Sequence, residues 1–336
     1  MSGFSPLKDL LAWGLRMAPR RAAPAGRDLV LCYHGVDDGY TREGEFVDPK
    51  KKLPLATFRR QLDMLSQIGR FVPLHEMYEA PRPERGWRFA ITFDDGYRNN
   101  IEAALPVLEE YRAPLTWFVA SAFVENRHRL PWWDLLQFLE RHLERPLSVT
   151  LGAETHELGT TPATPGRSET FLRLRSLFLE RAGDTVALEQ ALVEAAQERG
   201  ISLPRNGFAD PEALGRAAAN GLVEIGAHTH THINMARTSG AEIGTELTAN
   251  VAMLRDWTGF TPRIFAYPYG TKGAVSAEAA DMVRSCGFDA AVTTRRDYLG
   301  AQPDTYQLPR LTVQLGWSDA VFRSRVVALD RWNLLR

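Results

Sequence analysis

Short unbroken apolar runs alternate along this chain with stretches whose apolar residues return every three or four positions, the pattern of buried strands followed by amphipathic helices. Asp28–Tyr33, Arg88–Phe93, Leu115–Ala120, Leu222–Gly226, Arg263–Tyr267 and Phe288–Thr293 are the expected strands. Phe58, Leu62, Leu65 and Ile68 share one helix face, with Thr57 as the expected N-cap and Gly69 just past the end. A further helix carries Ile101, Leu105 and Leu108, with Asn100 as its cap. Pro106 should kink that helix or confine it to its first turns, because proline lacks the N–H and clashes with the preceding turn. Later helices are expected at Pro211–Asn220, after Ser239, and at Ser276–Cys286, the last closed by Gly287. Ser239 and Glu242 have capping-box spacing ahead of the apolar face formed by Ile243, Leu247, Val251 and Leu254. Repeated strand–helix units imply one parallel sheet covered by helices, open or closed into a barrel.

Two stretches break the rhythm. From about residue 125 to 211 there is no clean alternation; a Thr/Pro/Gly cluster at Gly159–Gly166 is followed by helical runs at Phe171–Arg181 and Asp184–Arg199. This stretch is expected to be a mainly helical insertion on one loop of a domain spanning residues 28–330. Residues 1–27 form a separate segment, in which Phe4, Leu7, Leu10, Leu11 and Leu15 recur at helical spacing among Lys8, Arg16, Arg20 and Arg21. Asp9 and Arg16 leave its apolar run too short for a spanning helix or a signal core. It is an amphipathic helix that either docks on the body or lies on a membrane surface. The expected location is the cytoplasm or the inner face of its membrane.

Forty basic and 41 acidic side chains nearly cancel, so no global field draws the chain to nucleic acid. Cys32 and Cys286 stand far apart in apolar contexts. Two cysteines make no disulfide framework, and both are expected to be buried, reduced thiols.

In parallel β/α folds chemistry collects beyond the carboxyl ends of the strands. His34 follows the first strand, Asp94 and Asp95 the second, His228, His230 and His232 a later one, and Tyr269 the one after. Each is unremarkable alone, since Asp-Asp-Gly is ordinary turn chemistry and loop histidines are often merely solvated. Two carboxylates and a histidine cluster at one end of one sheet are harder to explain structurally. If the chain turns after Gly226, the i, i+4 pair His228 and His232 converges while His230 points elsewhere. Two imidazoles and a carboxylate suit zinc or a similar divalent ion with positions left open for water, and a neighbouring carboxylate can then serve as base. That chemistry suits hydrolysis of an amide or ester.

Thr92-Phe93-Asp94-Asp95-Gly96, His228-Thr229-His230-Thr231-His232 and Phe265-Ala266-Tyr267-Pro268-Tyr269-Gly270 resemble, in order and spacing, three motifs of the polysaccharide deacetylase family, the NodB-homology group of carbohydrate esterases. The resemblance spans roughly residues 29–120 and 214–294. It implies a distorted β/α barrel with fewer than eight strands, and a substrate that is an N-acetylated sugar or glycan. It also implies Asp94 as general base and one divalent ion (zinc, with cobalt, nickel or manganese as alternatives) on Asp95, His228 and His232. The backbone N–H of Tyr269 would face the oxyanion. An O-acetyl ester or N-formyl group would fit the same site, and a carbohydrate-binding protein that has lost catalysis is the reading from another class.

Two departures from the family pattern bear on the chemistry. Ala266 occupies the position of an arginine that orients the catalytic aspartate, and no histidine follows His232 to supply the general acid. His34 is the natural replacement for the acid, because it ends a strand on the same side and imidazole titrates near neutral pH; a histidine bonded into the pocket wall is the plainer alternative. Arg310 is a candidate for the missing arginine, set against an ordinary surface position, whereas Arg263 opens its strand and belongs at the opposite end. Trp132 and Trp133 in the insertion could stack on a sugar face or form the insertion's core. His75, His128, His142 and His156 have no partners recognisable in sequence and are taken as structural or exposed.

Overall fold

Leu29 to Cys32 have no solvent exposure at all, the continuous burial of a strand covered on both faces. The computed structural model describes residues 26–37, 44–143, 145–151, 154–158, 169–180 and 185–329. Its main sheet contains β1 (Arg27–Tyr33), β2 (Gly69–Phe71), β3 (Trp87–Phe93), β4 (Leu115–Val119), β5 (Val223–Ala227), β6 (Ile264–Ala266), β7 (Ala290–Val292) and β8 (Leu311–Thr312). Seven strands run in the order β7-β6-β5-β4-β3-β1-β8, and short β2 lies beside β3. All the pairings are parallel. The sheet curls into a distorted barrel. Its seam is crossed by residues 308–312: Leu308 bridges Val292 of β7, and Leu311 and Thr312 pair with Leu31 and Cys32 of β1.

Helices α1 (Leu55–Ser66), α2 (Leu105–Glu110), α6 (Pro211–Ala218), α7 (Gly240–Thr258), α8 (Ala277–Ser285) and α9 (Asp319–Val327) lie outside the sheet. The insertion contributes α3 (Trp132–His142), α4 (Glu169–Glu180) and α5 (Thr185–Glu198), with an antiparallel pair of strands, Leu147–Leu151 and Glu154–Leu158. Sequence periodicity did not reveal that hairpin, because each strand has only five residues and the second, Glu-Thr-His-Glu-Leu, has a single apolar one. Leu135, Leu139, Leu147, Val149, Leu174, Phe178 and Leu192 bury together in the insertion's own core.

Local details correct several expectations. α1 begins at Leu55 after Pro54 without a side-chain cap, so Thr57 lies inside the helix. Asn100 caps nothing either: residues 100–104 form a π-turn leading into α2, which accommodates Pro106 in the first turn of the α-helix. The Ser239–Glu242 capping box is present in both directions. Cys32 is buried, but Cys286 is exposed at the end of α8, where the apolar face has already turned away. Residues 1–25 and the Gly159–Gly166 cluster lie outside the described residues. No helix among the described residues is long and apolar enough to cross a membrane.

Candidate active site

Strand ends aim the chemistry into one cavity of about 380 Å3, within the range of small-ligand pockets. Its lining includes His34, Asp94, Asp95, His228, His232 and Tyr269, together with Trp132 and Trp133 from α3. Asp95, Thr229, His232 and Tyr269 have φ of 75°, 57°, 59° and 62°, left-handed conformations that disfavour side chains. Such strain costs about 1–3 kcal/mol per residue and persists only where surroundings over-determine it. Around the histidine loop, buried Asn250 and half-buried Glu246 do so. Asn250 on α7 accepts from the His228 N–H (3.0 Å) and donates to the Val119 carbonyl (3.0 Å) and Ser121 Oγ (2.9 Å). Glu246 accepts from the N–H and hydroxyl of Thr231, both at 2.7 Å.

The loop bends so that His228 and His232 converge on Asp95. Their Nε2 atoms lie 3.6 and 3.5 Å from Asp95 Oδ1, too long for hydrogen bonds. Two ligands about 2.1 Å from one tetrahedrally held ion would be separated by roughly 3.4 Å. The three donor atoms thus have the spacing and the chemistry of a divalent metal site. His228 Nδ1 lies 2.7 Å from the Ala266 carbonyl, which leaves Nε2 as the lone-pair nitrogen. The ring of His232 packs against Trp133 and Tyr269, each centroid 4.7 Å away. His230 turns aside to Ser121 Oγ, at 2.9 Å.

Asp94 is held by a residue 216 positions away in sequence. Arg310 has no solvent exposure and grips Asp94 with two hydrogen bonds of 2.7 Å, while its remaining donors reach Thr92 Oγ1 and the Thr293 carbonyl. The surface reading of Arg310 is therefore corrected, because the seam-crossing segment carries it into the barrel interior. Burial would raise the Asp94 carboxyl, but Arg310 overrides it and the group sits at about 2. The Cys32 thiol, 3.3 Å from Asp94 Oδ2, is pushed up by burial and stays protonated. Asp95 is likewise buried, and Lys51 with the two histidines holds it well below the carboxylate range.

His34 lies in the cavity wall, half-buried. It does not titrate near neutral: burial, assisted by Lys51, pushes it down to about 4. Trp132 and Trp133 belong to the insertion's core while lining the cavity. Trp132 stacks on Phe178 at 5.0 Å and donates to the Tyr269 hydroxyl at 3.0 Å; Trp133 donates to the Tyr97 hydroxyl at 2.8 Å. Arg263 is exposed at the far end of the barrel and pairs with Asp289. His128 and His142 are exposed, His156 is buried in the insertion hairpin, and His75 lines a second cavity at the far end.

Sequence reasoning missed Lys51, Asp48, Gln137 and Asn250. Of these only Asn250 left a signal, as a polar residue in the apolar stripe of α7 running from Ile243 through Leu247 to Leu254.

Comparison with known proteins bears on the family and the fold. The sequence profile described as "Polysaccharide deacetylase" matches residues 82–291. No curated protein sequence matches the chain. Among solved structures, a de-N-acetylase from Aggregatibacter actinomycetemcomitans superposes with a TM-score of 0.56 at 14% identity, over 89% of this chain and 99% of that one. IcaB from Ammonifex degensii gives 0.52 at 21% identity, over 87% and 94% of the two chains. The Streptococcus pyogenes deacetylase PplD, solved in complex with acetate, gives 0.52 at 16% identity, over 90% and 98%. At these identities the likeness concerns the fold, whereas the profile covers more than half of the sequence, and the chain belongs to the polysaccharide deacetylase family.

Proposed function

We propose that the protein is a metal-dependent hydrolase that removes the N-acetyl group from an amino sugar of a glycan, oligosaccharide or lipid-linked precursor. Its family already makes it a hydrolase of carbohydrate amides. The observation that carries the finer reading is the pairing of two unlike carboxylates in one cavity: Asp95 with two imidazoles, and Asp94 locked to Arg310.

A divalent ion on Asp95, His228 and His232, zinc first with cobalt, nickel or manganese as alternatives, would polarise the acyl carbonyl and acidify a water. Asp94 is the base in this reading, and Arg310 keeps it ionised and oriented. Its carboxyl at about 2 makes it a weak base, so it needs a water made unusually acidic. The Tyr269 N–H serves the oxyanion. His34 rests neutral, so in this reading the proton that Asp94 takes from the water would have to reach the His34 imidazole before the leaving nitrogen is protonated. The apolar and basic pattern of residues 1–27 supports contact with the inner face of a membrane, as a lipid-linked substrate would require.

Metal content of the purified protein, with acetate release from a panel of N-acetylated glycans, tests the whole. His232→Ala should abolish metal retention and leave the fold intact; anomalous scattering that placed the ion on His230 would refute the ligand set. His34→Ala should lower amide turnover by roughly a hundredfold or more while metal stays bound. An activated ester needs little protonation of its leaving group and should be spared most of that loss. Equal losses on both substrates would mean that His34 only shapes the pocket.

A further inference from the structure

Asp95 divides its two oxygens. Oδ1 faces the imidazoles, and Oδ2 faces a cation that no motif announces: Lys51 Nζ lies 3.4 Å away, and 5.2 Å from the centroid of the Trp133 ring. The ammonium is not a loose surface group. The Lys51 N–H donates to the Asp48 carbonyl at 2.8 Å, and the Asp48 N–H donates to Asp134 Oδ1 of α3, also at 2.8 Å. On the other side, Lys52 pairs with Asp37 at 2.7 Å, and residues Lys52–Pro54 run parallel to Gly35–Asp37 immediately after His34. The turn is tied down at both ends, so Lys51 is delivered to the cavity lining with a 27% exposed side chain against 2% for Asp95.

We propose that Lys51 is the built-in counter-ion of Asp95, balancing that carboxylate when no metal is bound and competing with the metal for it when one is. This rests on the reading that Asp95, His228 and His232 hold a divalent ion. A carboxylate as buried as Asp95 is costly without a partner, and of the cations among the described residues Lys51 is the one that reaches its Oδ2. With an ion in place, two cations share one buried carboxylate at short range and repel each other. Asp95 then donates less to the ion than the same three ligands would without Lys51. Lys51 is thus a positioning residue that lowers metal affinity and keeps Asp95 in place in the empty site.

Lys51→Met keeps the aliphatic stem over Trp133 and removes the charge, whereas Lys51→Arg keeps the charge. The full-length protein and both variants would be stripped, titrated with zinc against a chromophoric chelator, and melted in stripped form. Lys51→Met is expected to bind zinc about tenfold tighter or more than the unaltered protein, and to melt lower when stripped. Lys51→Arg is expected to stay within about threefold of the unaltered affinity, which a space-filling role for the lysine stem would not require. Unchanged or weaker zinc binding by Lys51→Met overturns the competition, and an unchanged melting temperature of its stripped form overturns the counter-ion role; both leave the metal site standing. Failure of the unaltered protein to take up zinc is a separate result and overturns the metal reading together with this one.

Discussion

Arg310 and Asp94 form an ion pair with almost no access to water, and their two parallel hydrogen bonds set the plane of the carboxylate as well as its charge. Phe118 packs 5.5 Å from the guanidinium carbon and closes the pair from one side. Removing one member of such a pair is worse than lacking both, because the survivor stays buried and charged. Arg310→Met is therefore expected to destabilise the protein by about 3–5 kcal/mol and to abolish glycan deacetylation, with urea unfolding and acetate release as measurements. Arg310→Lys restores charge without the fork and should recover stability more than activity. If Arg310→Met costs less than about 1 kcal/mol, the pair is not the strut described here.

At the scale of elements, α3 connects the insertion to the barrel. Its first turn presents Trp132, Trp133 and Asp134, all buried, toward Tyr269, Tyr97 and the turn that bears Lys51. Burial raises the Asp134 carboxyl well above its usual range, and the Asp48 N–H and Tyr97 hydroxyl both bond to it. The tryptophans therefore work as core and cavity wall together, which changes what their removal should do. Trp133→Ala is expected to cost about 3–5 kcal/mol, the usual range for emptying a large aromatic site, and to loosen His232, whose ring it touches. Thermal unfolding and zinc affinity would both report it. A variant that kept its stability and lost only glycan binding would instead mark Trp133 as a sugar platform.

For the molecule as a whole, the buried site makes folding sensitive to acid. Burial holds His34 and His232 at about 4, below the ordinary 6.5, and Asp94 lies at about 2 against 3.8. In each case the native state binds fewer protons than the unfolded chain, so stability falls as pH falls. The imidazoles should begin to cost stability below about pH 6.5 and be fully charged below about 4; Asp94 adds its loss between about 3.8 and 2. Urea midpoints of the protein kept metal-free with chelator should decline already from pH 6.5 downward, and His34→Gln should flatten the upper part of that decline. A midpoint constant from pH 7 to 5 would contradict the assignment.

Much of this architecture was legible in one dimension. Apolar runs and helical spacing placed six of the strands and the helices that follow them, because period and burial are local properties of a segment. Asp94, Asp95, His228 and His232 were recognisable because turn-forming residues and motif spacing keep them contiguous with strand ends. Of what lay beyond reach, three features bear most on the chemistry. The two-residue strand Leu311–Thr312 is too short to carry a period, yet by closing the seam it brings Arg310 to Asp94 across 216 positions. Lys51 looks like any solvated lysine until the strand pairing after His34 draws its turn over Asp95. The neutral state of His34 follows from burial, which depends on what packs around an imidazole and not on its neighbours in sequence. The sequence by itself determined that Asp94, Asp95, His228 and His232 would stand at strand ends on one side of the sheet; the tertiary structure decided which other groups join them and which charges face one another there, since charge pairing and desolvation depend on distance in space.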